Sequence, residues 1–425
     1  MSISNKLNLE KNTWLSCKYT IHVSIKFADG TVRKLENAQI NGLYMEKDYD
    51  NDHLPIMMID LALGELDVNK VDDQTIFHVK MNQYYLENND DESEKKSKKV
   101  YLDDDFIRIG YGTKPDAREK FKKKIRNSMG VSDGDLTNYD LTKPITFILF
   151  KKSDLIMSKA ITNDVFVNAN MEDIVCRLLT DVGCPRKVLM SNFINTKEYS
   201  ELLLEPKNFI EQLVFLENEF GWHPEGTYIF LDYDRFYITR KCSTPTVWVG
   251  KEPQQVCFTI PFVDQSDDSS NGIIEKNNII YVNVGTDKYT MVDSSIVEDQ
   301  ISGTGLILTN TLTGKTTVID GDNSTLTPTG SYANKMYHGH NPYAIKQYKL
   351  RKKENDHIWD IECINTDLSY YTPQRQFTFL SDVTKISSTL KGKYRISSMK
   401  VSFAKAGTAF NNIAKVRVKR TSTLN

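Results

Sequence analysis

EPKNFIEQLVFLENEFGWHPEGTYIFLDYDRFYITRK, residues 205–241, reads as a helix, a stop and two strands. Pro206 suits a first helical turn, where its missing N–H is no loss. Phe209, Leu213, Leu216 and Phe220 recur at helical spacing, and Ile210 and Val214 widen that apolar stripe. Glu211, Gln212, Glu217, Asn218 and Glu219 are left for the outer face. Gly221 stands where a helix end wants a residue able to take positive φ. Past Trp222 and a turn at Pro224 and Gly226, Thr227 to Leu231 is a short strand containing Tyr228, Ile229 and Phe230. Asp232-Tyr233-Asp234 supplies turn residues, and Arg235 to Thr239, with Tyr237 and Ile238, returns as a strand.

On the N-terminal side the text is mostly strands. Tyr19 to Ile25 alternates polar with apolar, Asp29-Gly30 is a hairpin signal, and Val32 to Leu35 starts the return. Gln39 to Met45, Leu54 to Leu63, Ile76 to Tyr85 and Thr146 to Lys151 continue the β pattern, with Phe77, Val79 and Met81 on one face. Ile156 to Phe166 is also expected to be β. Charged residues 87–99 read as a solvated loop, because such composition cannot offset its ordering entropy. Lys114 to Met129 reads as a helix with a basic, solvated face, and Gly110-Tyr111-Gly112 as a turn. Met171 to Val182 carries Ile174, Val175, Leu178 and Leu179 on one stripe, with Gly183 as its stop; residues 184–204 then link it to the second helix.

The C-terminal half returns to strands at Val247 to Val249, Val256 to Pro261, Asn278 to Val284 and Gly305 to Thr309. Gly314, Gly321 and Gly330 punctuate a turn-rich stretch, and strands resume at Tyr348 to Arg351, His357 to Asn365 and Phe377 to Phe379. The segment 392–420 closes the chain with two further strands.

Composition narrows the function. The 425 residues suffice for two or three domains with real cores. Lys+Arg 54 against Asp+Glu 56 gives a net charge of −2, so no global basic field marks a nucleic-acid binder. Mean hydropathy is −0.44, and no run approaches the roughly 18 apolar residues of a membrane helix. The first residues lack the apolar core of a secretory signal. Six scattered cysteines, without a CxxC pair, are expected to be free thiols in a reducing compartment.

The chemistry-bearing candidates are few. His338-Gly339-His340 spaces two imidazoles as a metal pair would need, but sits in loop-like text, and no metal or other cofactor is expected. Glu217 and Glu219 are two apart on a helix and share no face, while Asp232 and Asp234 suit a tight turn. No G-x-S-x-G, HExxH, P-loop or Cys/His dyad is present, so no catalytic residue is assigned and an enzyme is not expected.

The order of helix, Gly-aromatic pair and hairpin resembles the baseplate-hub or tail-hub proteins of bacteriophages, which are related to the base of the type VI secretion VgrG spike. The matching positions are Pro206, Asn208, Phe209, Ile210, Leu213, Phe220, Gly221, Trp222, Gly226, Phe230, Asp232, Tyr237 and Ile238, and their role would be structural. The acidic loop in residues 46–67 and the Gly392-Lys393-Tyr394-Arg395-Ile396 opening of the tail are similar to that family too. The resemblance implies a mainly β fold with an α+β insertion: two β-barrel-like tube domains flanking a small helix–hairpin region. Residues 1–168 would be the first tube domain, 169–245 the insertion and 246–425 the second tube domain. It further implies a homotrimeric symmetry adaptor in the virion, made in the host cytoplasm. Such an adaptor joins the hexameric ring of tail tube protein to a central spike or tail-tip protein, contacts other baseplate proteins, and frames a channel that DNA passes without specific binding. Two other classes stay in view. A tail-associated peptidoglycan hydrolase lacks a motif here and room for a lytic module after the second β domain. A host-glycan-binding tail protein would draw on the 21 tyrosines and four tryptophans.

Overall fold

Alternation sets the first strand. Cys17, Tyr19, Ile21, Val23 and Ile25 are buried while His22 and Lys26 face outward, which is what period-2 geometry demands of a sheet with one covered face. The computed structural model describes residues 14–87, 96–112, 142–184, 186–242, 252–260, 272–284, 288–292, 305–320, 332–337, 340–355, 358–381 and 390–421.

In the N-terminal half the strands are β1 (Leu15–Lys26), β2 (Val32–Lys34), β3 (Ile40–Asp48), β4 (Ile56–Gly64), β5 (Ile76–Glu87), β6 (Lys96–Gly112) and β7 (Thr142–Lys151). The middle holds β8 (Ile161–Thr162), β9 (Val165–Asn170), β10 (Lys187–Met190), β11 (Glu198–Leu203), β12 (Lys207–Asn208), β13 (Thr227–Leu231) and β14 (Arg235–Arg240). Then come β15 (Gln255–Ile260), β16 (Ile273–Lys276), β17 (Ile279–Asn283), β18 (Tyr289–Val292), β19 (Gly305–Asn310), β20 (Thr316–Asp320) and β21 (Tyr332–Tyr337). Last are β22 (Ile358–Ile364), β23 (Gln376–Ser381), β24 (Tyr394–Ala406) and β25 (Ala409–Arg420). Helices among the described residues are α1 (Glu65–Lys70), α2 (Lys152–Ser158), α3 (Met171–Asp181), α4 (Phe209–Phe220) and α5 (Ala344–Asn355).

The sheet closes on itself. Following hydrogen-bonded neighbours, β1, β5, β6, β7, β4, β3, β24 and β25 return to β1, an antiparallel ring. A second ring runs β1, β16, β17, β15, β23, β24, β25 and back to β1, with β15 parallel to both its neighbours. The two rings share β1 and the long β24–β25 hairpin; the perimeter around both is an 11-strand barrel. The fold class expected from the sequence, mainly β with few helices, is therefore the one observed.

Both rings are filled by side chains. Tyr19 meets Tyr101 and Phe403 edge to face with centroids 5.7 and 5.3 Å apart, and Phe77 packs on Phe147 at 5.0 Å. In the second ring Phe258 stacks on Tyr371 and Phe377. These residues belong to one apolar cluster that also takes in Tyr228, Phe230, Tyr233 and Tyr237. A separate cluster gathers α3, α4 and the remaining hairpin residues.

Several sequence expectations need correction. The second helix starts at Phe209, not Pro206: Lys207 and Asn208 are spent pairing with Thr162 and Ile161, which leaves Pro206 exposed ahead of them. Gln212 and Glu217 are buried instead of outward; Glu217 accepts from Gln347 of α5 and from the Trp222 amide just after α4. Ile156 lies in α2, whose first turn carries Asp154 at its positive end; β structure resumes only at Ile161. Tyr348 to Arg351 is helical within α5, a run of good helix formers that buries Ala344, Gln347 and Leu350. Gly110, Tyr111 and Gly112 continue β6 opposite Ile148, Phe147 and Thr146 after a bulge. The link before α4 contains two strands, β10 and β11. Residues 88–95, Lys114 to Met129, Val247 to Val249, Gly321, Gly330 and His338 lie outside the described residues.

Candidate functional site

The β13–β14 hairpin explains why residues 227–240 lack alternation: both of its faces are covered. Tyr228, Phe230 and Tyr237 point into the barrel cluster, whereas Ile229, Leu231, Phe236 and Ile238 point into the helical cluster. β10 runs parallel to β14 and completes a three-stranded layer between barrel and helices.

Each motif residue has a place in this layer. Phe209, Leu213 and Leu216 are fully buried and Ile210 nearly so, all facing the helical cluster. Phe220 packs edge-on against Tyr199 at 5.0 Å and stacks with the His340 ring at 5.8 Å. Trp222 stacks on Phe193 at 4.7 Å. Gly221 has φ 63°, and a Cβ there would collide with the Asn341 side chain, whose amide donates to the Asn218 carbonyl at 3.0 Å. Gly226, φ 83°, closes the hairpin: its carbonyl accepts from the Lys241 amide at 2.9 Å. Phe230 meets Tyr49 at 4.6 Å, and Tyr237 is buried, which pushes its phenol up. Asn208 occupies the N-cap of α4 but makes no side-chain capping bond.

The barrel side of the seam is built by the acidic loop after β3. His53 Nδ1 lies 2.8 Å from the Ile229 carbonyl, and the Leu231 amide donates to the His53 carbonyl at 2.9 Å. Tyr49 donates its hydroxyl to the Tyr371 carbonyl at 2.9 Å. Asp50 gathers three cations: Arg395 at 2.8 Å, Lys419 at 3.0 Å and Lys241 at 3.4 Å. Burial alone would raise this carboxyl, but the three cations hold it well below the usual range. Asp232, expected from the sequence only as a turn residue, is buried and paired with Lys47 at 2.7 Å. Burial would push the Lys47 ammonium down; the attraction of Asp232 outweighs it and the net shift is upward.

Beside this pair lies a cavity of about 260 Å³ between the hairpin, β6 and the segment before β23, lined by Lys47, Tyr101, Tyr233, Tyr237, Asp367 and Arg375, among others. The Tyr233 and Thr372 hydroxyls and Arg375 Nε find no partner among the described residues, so the space offers several polar groups to water or a small polar molecule. Asp367 accepts from Gln83 Nε2 at 3.2 Å, from the Ser369 amide at 2.8 Å and from the Tyr85 hydroxyl. Arg235 and Arg375 share Glu252, at 2.8 and 3.2 Å. The charges are spent on each other, an arrangement suited to holding three segments in register. Among the described residues no three His, Cys, Asp or Glu side chains converge as a metal site, and no helix is long and apolar enough to cross a membrane.

The family model of the bacteriophage PBS1 gene 109 protein matches residues 9–421. The chain belongs to that family. No curated protein matches it. Its fold is similar to that of a tail protein from Neisseria meningitidis MC58: 9% identity, TM-score 0.49, 94% of this chain and 97% of that one covered. A 43 kDa tail protein of prophage MuSo2 from Shewanella oneidensis gives 12% identity and TM-score 0.48, covering 94% and 98%. A chain of the Francisella PdpA-VgrG complex gives 10% and 0.47, covering 97% of this chain and 54% of that one. The resemblance to phage tail proteins and the type VI spike drawn from the sequence agrees with the kinds of protein found. Lys47, Asp50 and Arg395 lie in the two segments likened to the family, but the sequence assigned them no role. The only signal for Asp50 was its place in a loop dense with acids, and nothing local shows that Arg395, 345 residues away, is its partner.

Proposed function

We propose that this phage-family protein is a structural hub of the tail or baseplate. In this reading residues 1–168 and 246–425 are tube domains, 169–245 is the insertion, and the matched motif in 206–238 is the structural wedge between them. Three copies form the symmetry adaptor between the hexameric tail tube and a central spike, within the virion and without catalysis. The supporting observation is the β24–β25 hairpin that closes both rings at once, making one chain a rigid pair of fused, side-chain-filled barrels. Among the described residues, side chains fill the inside of both rings. A channel for DNA would therefore run between copies, lined by outer barrel faces, and a net charge of −2 is compatible with DNA passing without strong phosphate binding.

Light scattering with negative-stain imaging tests this. The expected species is a particle of three 48.8 kDa chains with a central hole. A chain that stays monomeric at high concentration, and also fails to join preformed rings of tail tube protein, overturns the proposal.

A further inference from the structure

Residues 161–170 and 198–208 run antiparallel as one interrupted ribbon, β8–β9 against β11–β12. Its inner face, with Phe166, Leu202 and Tyr199, packs on the helical cluster. Its outer face carries Ile161, Val165, Val167 and Leu203, exposed by 70, 52, 65 and 69%. Val165 lies directly opposite Leu203, and Val167 opposite Glu201. Four large aliphatic side chains together on one face, beside a strand whose outer edge has no partner among the described residues, are the mark of a surface that is covered in use.

The charges around this face indicate what covers it. β9 and β11 contain no Lys or Arg, and exposed Glu198 and Glu201 form no ion pair among the described residues. The chain also carries the complement. Among the described residues β2 is an edge strand that pairs only with β1, and its Val32, Arg33 and Lys34 are all exposed, as is neighbouring Lys26, with Arg33 also reaching Asp67 at 3.7 Å. We infer that β2 of a second copy of this chain docks on the outer edge of β11, Val32 meeting the aliphatic face and Arg33 and Lys34 meeting Glu198 and Glu201. The two patches differ, so the contact is heterologous, and repeating it closes a ring where the rotation between copies divides a full turn. This rests on the self-assembly in the hub reading, and names the surfaces that would carry it.

The full chain would be compared by light scattering across a concentration series as wild type, Leu203→Ser, Glu201→Lys and Glu201→Lys/Lys34→Glu. Leu203→Ser is expected to raise the concentration for half-assembly about tenfold, from the apolar area lost, with the melting temperature unchanged. Glu201→Lys should raise it a few-fold, roughly the worth of a rim ion pair, and the double exchange should bring it back. In a Cys176→Ser background, Glu201→Cys/Lys34→Cys should give disulfide-linked chains on a non-reducing gel, and neither single variant should. If wild type assembles and the variants assemble equally well without cross-linking, this contact is overturned and the hub reading stands. If wild type neither self-associates nor joins preformed rings of tail tube protein, both fall. If wild type stays monomeric and Leu203→Ser instead loses binding to tail tube protein, the face belongs to that partner and the inference is overturned.

Discussion

Asp50→Asn tests whether the seam is held electrostatically. The wild-type carboxylate, 9% exposed, faces Arg395, Lys241 and Lys419 and accepts from the Ser397 hydroxyl at 2.7 Å. Asparagine keeps the shape and removes the charge, leaving the nearly buried Arg395 without its counter-ion. Breaking a buried pair from one side costs about 3–5 kcal/mol, because the remaining charge stays desolvated. Urea unfolding followed by tryptophan fluorescence is the assay: Trp222 reports on the helical cluster and Trp359 on the barrel cluster. If stranded cations are the cause, adding Arg395→Met should recover part of the loss, a coupling a double-mutant cycle measures directly. The pH dependence carries a definite sign. The folded carboxyl sits below its ordinary value of 3.8, so its contribution is present above that pH and is lost as pH falls through the folded value. Wild type should thus weaken in strong acid more steeply than the variant. A cost under about 1 kcal/mol, the level of a surface ion pair, refutes the argument.

Two further outcomes follow from the same layer. Gly221→Ala combines a positive φ with a collision against Asn341 and should cost about 1–3 kcal/mol in thermal melts; Gly314→Ala, at φ 66° in open space, should cost less, and equal losses would show that Asn341 gives way freely. His223 is fully buried and its ring nitrogens find no hydrogen-bond partner among the described residues, and burial, helped by Arg240, holds its pKa down to about 3. The depressed value means the neutral ring stabilises the fold above pH 6.5, and that contribution, up to about 5 kcal/mol, drains away as pH falls towards 3. His223→Phe should flatten stability between those limits, and an unchanged slope would show the ring is not the titrating group.

What the sequence disclosed follows from how many faces each element covers. β1 and β5 are covered on one face, so alternation named them, and α3 was found from its stripe, with Asn170 accepting from the Asp173 amide as its cap. The hairpin was found because an unbroken apolar run bounded by Gly226 and Asp232 still reads as strand. The errors lie where tertiary pairing competes with local signals. Lys207 and Asn208 serve a bridge to β8 before α4 can begin, and α5 was mistaken because Tyr348 was read as a strand residue amid helix formers. Barrel-like domains were implied only by the family resemblance, and the pairing that closes them was invisible. It depends on β25 meeting β1 at Tyr19 and Phe410, and no local pattern encodes a pairing between the two ends of a chain.

That closure also accounts for the charged seam. The β13–β14 layer must pack against a barrel whose wall comes from β3, early in the chain, and β24, near its end. An all-apolar seam would tolerate sliding, since hydrophobic burial has no direction. Lys47 on β3 and Arg395 on β24 instead bind to Asp232 and Asp50, and Tyr228 donates to the Ile396 carbonyl while accepting from Arg395 at 2.9 Å. Each of these contacts is satisfied at a single register. In the hub reading the part repeats around a ring and requires one wedge angle in every copy. A small set of buried, mutually neutralised charges fixes that angle where apolar packing alone would leave neighbouring registers close in energy.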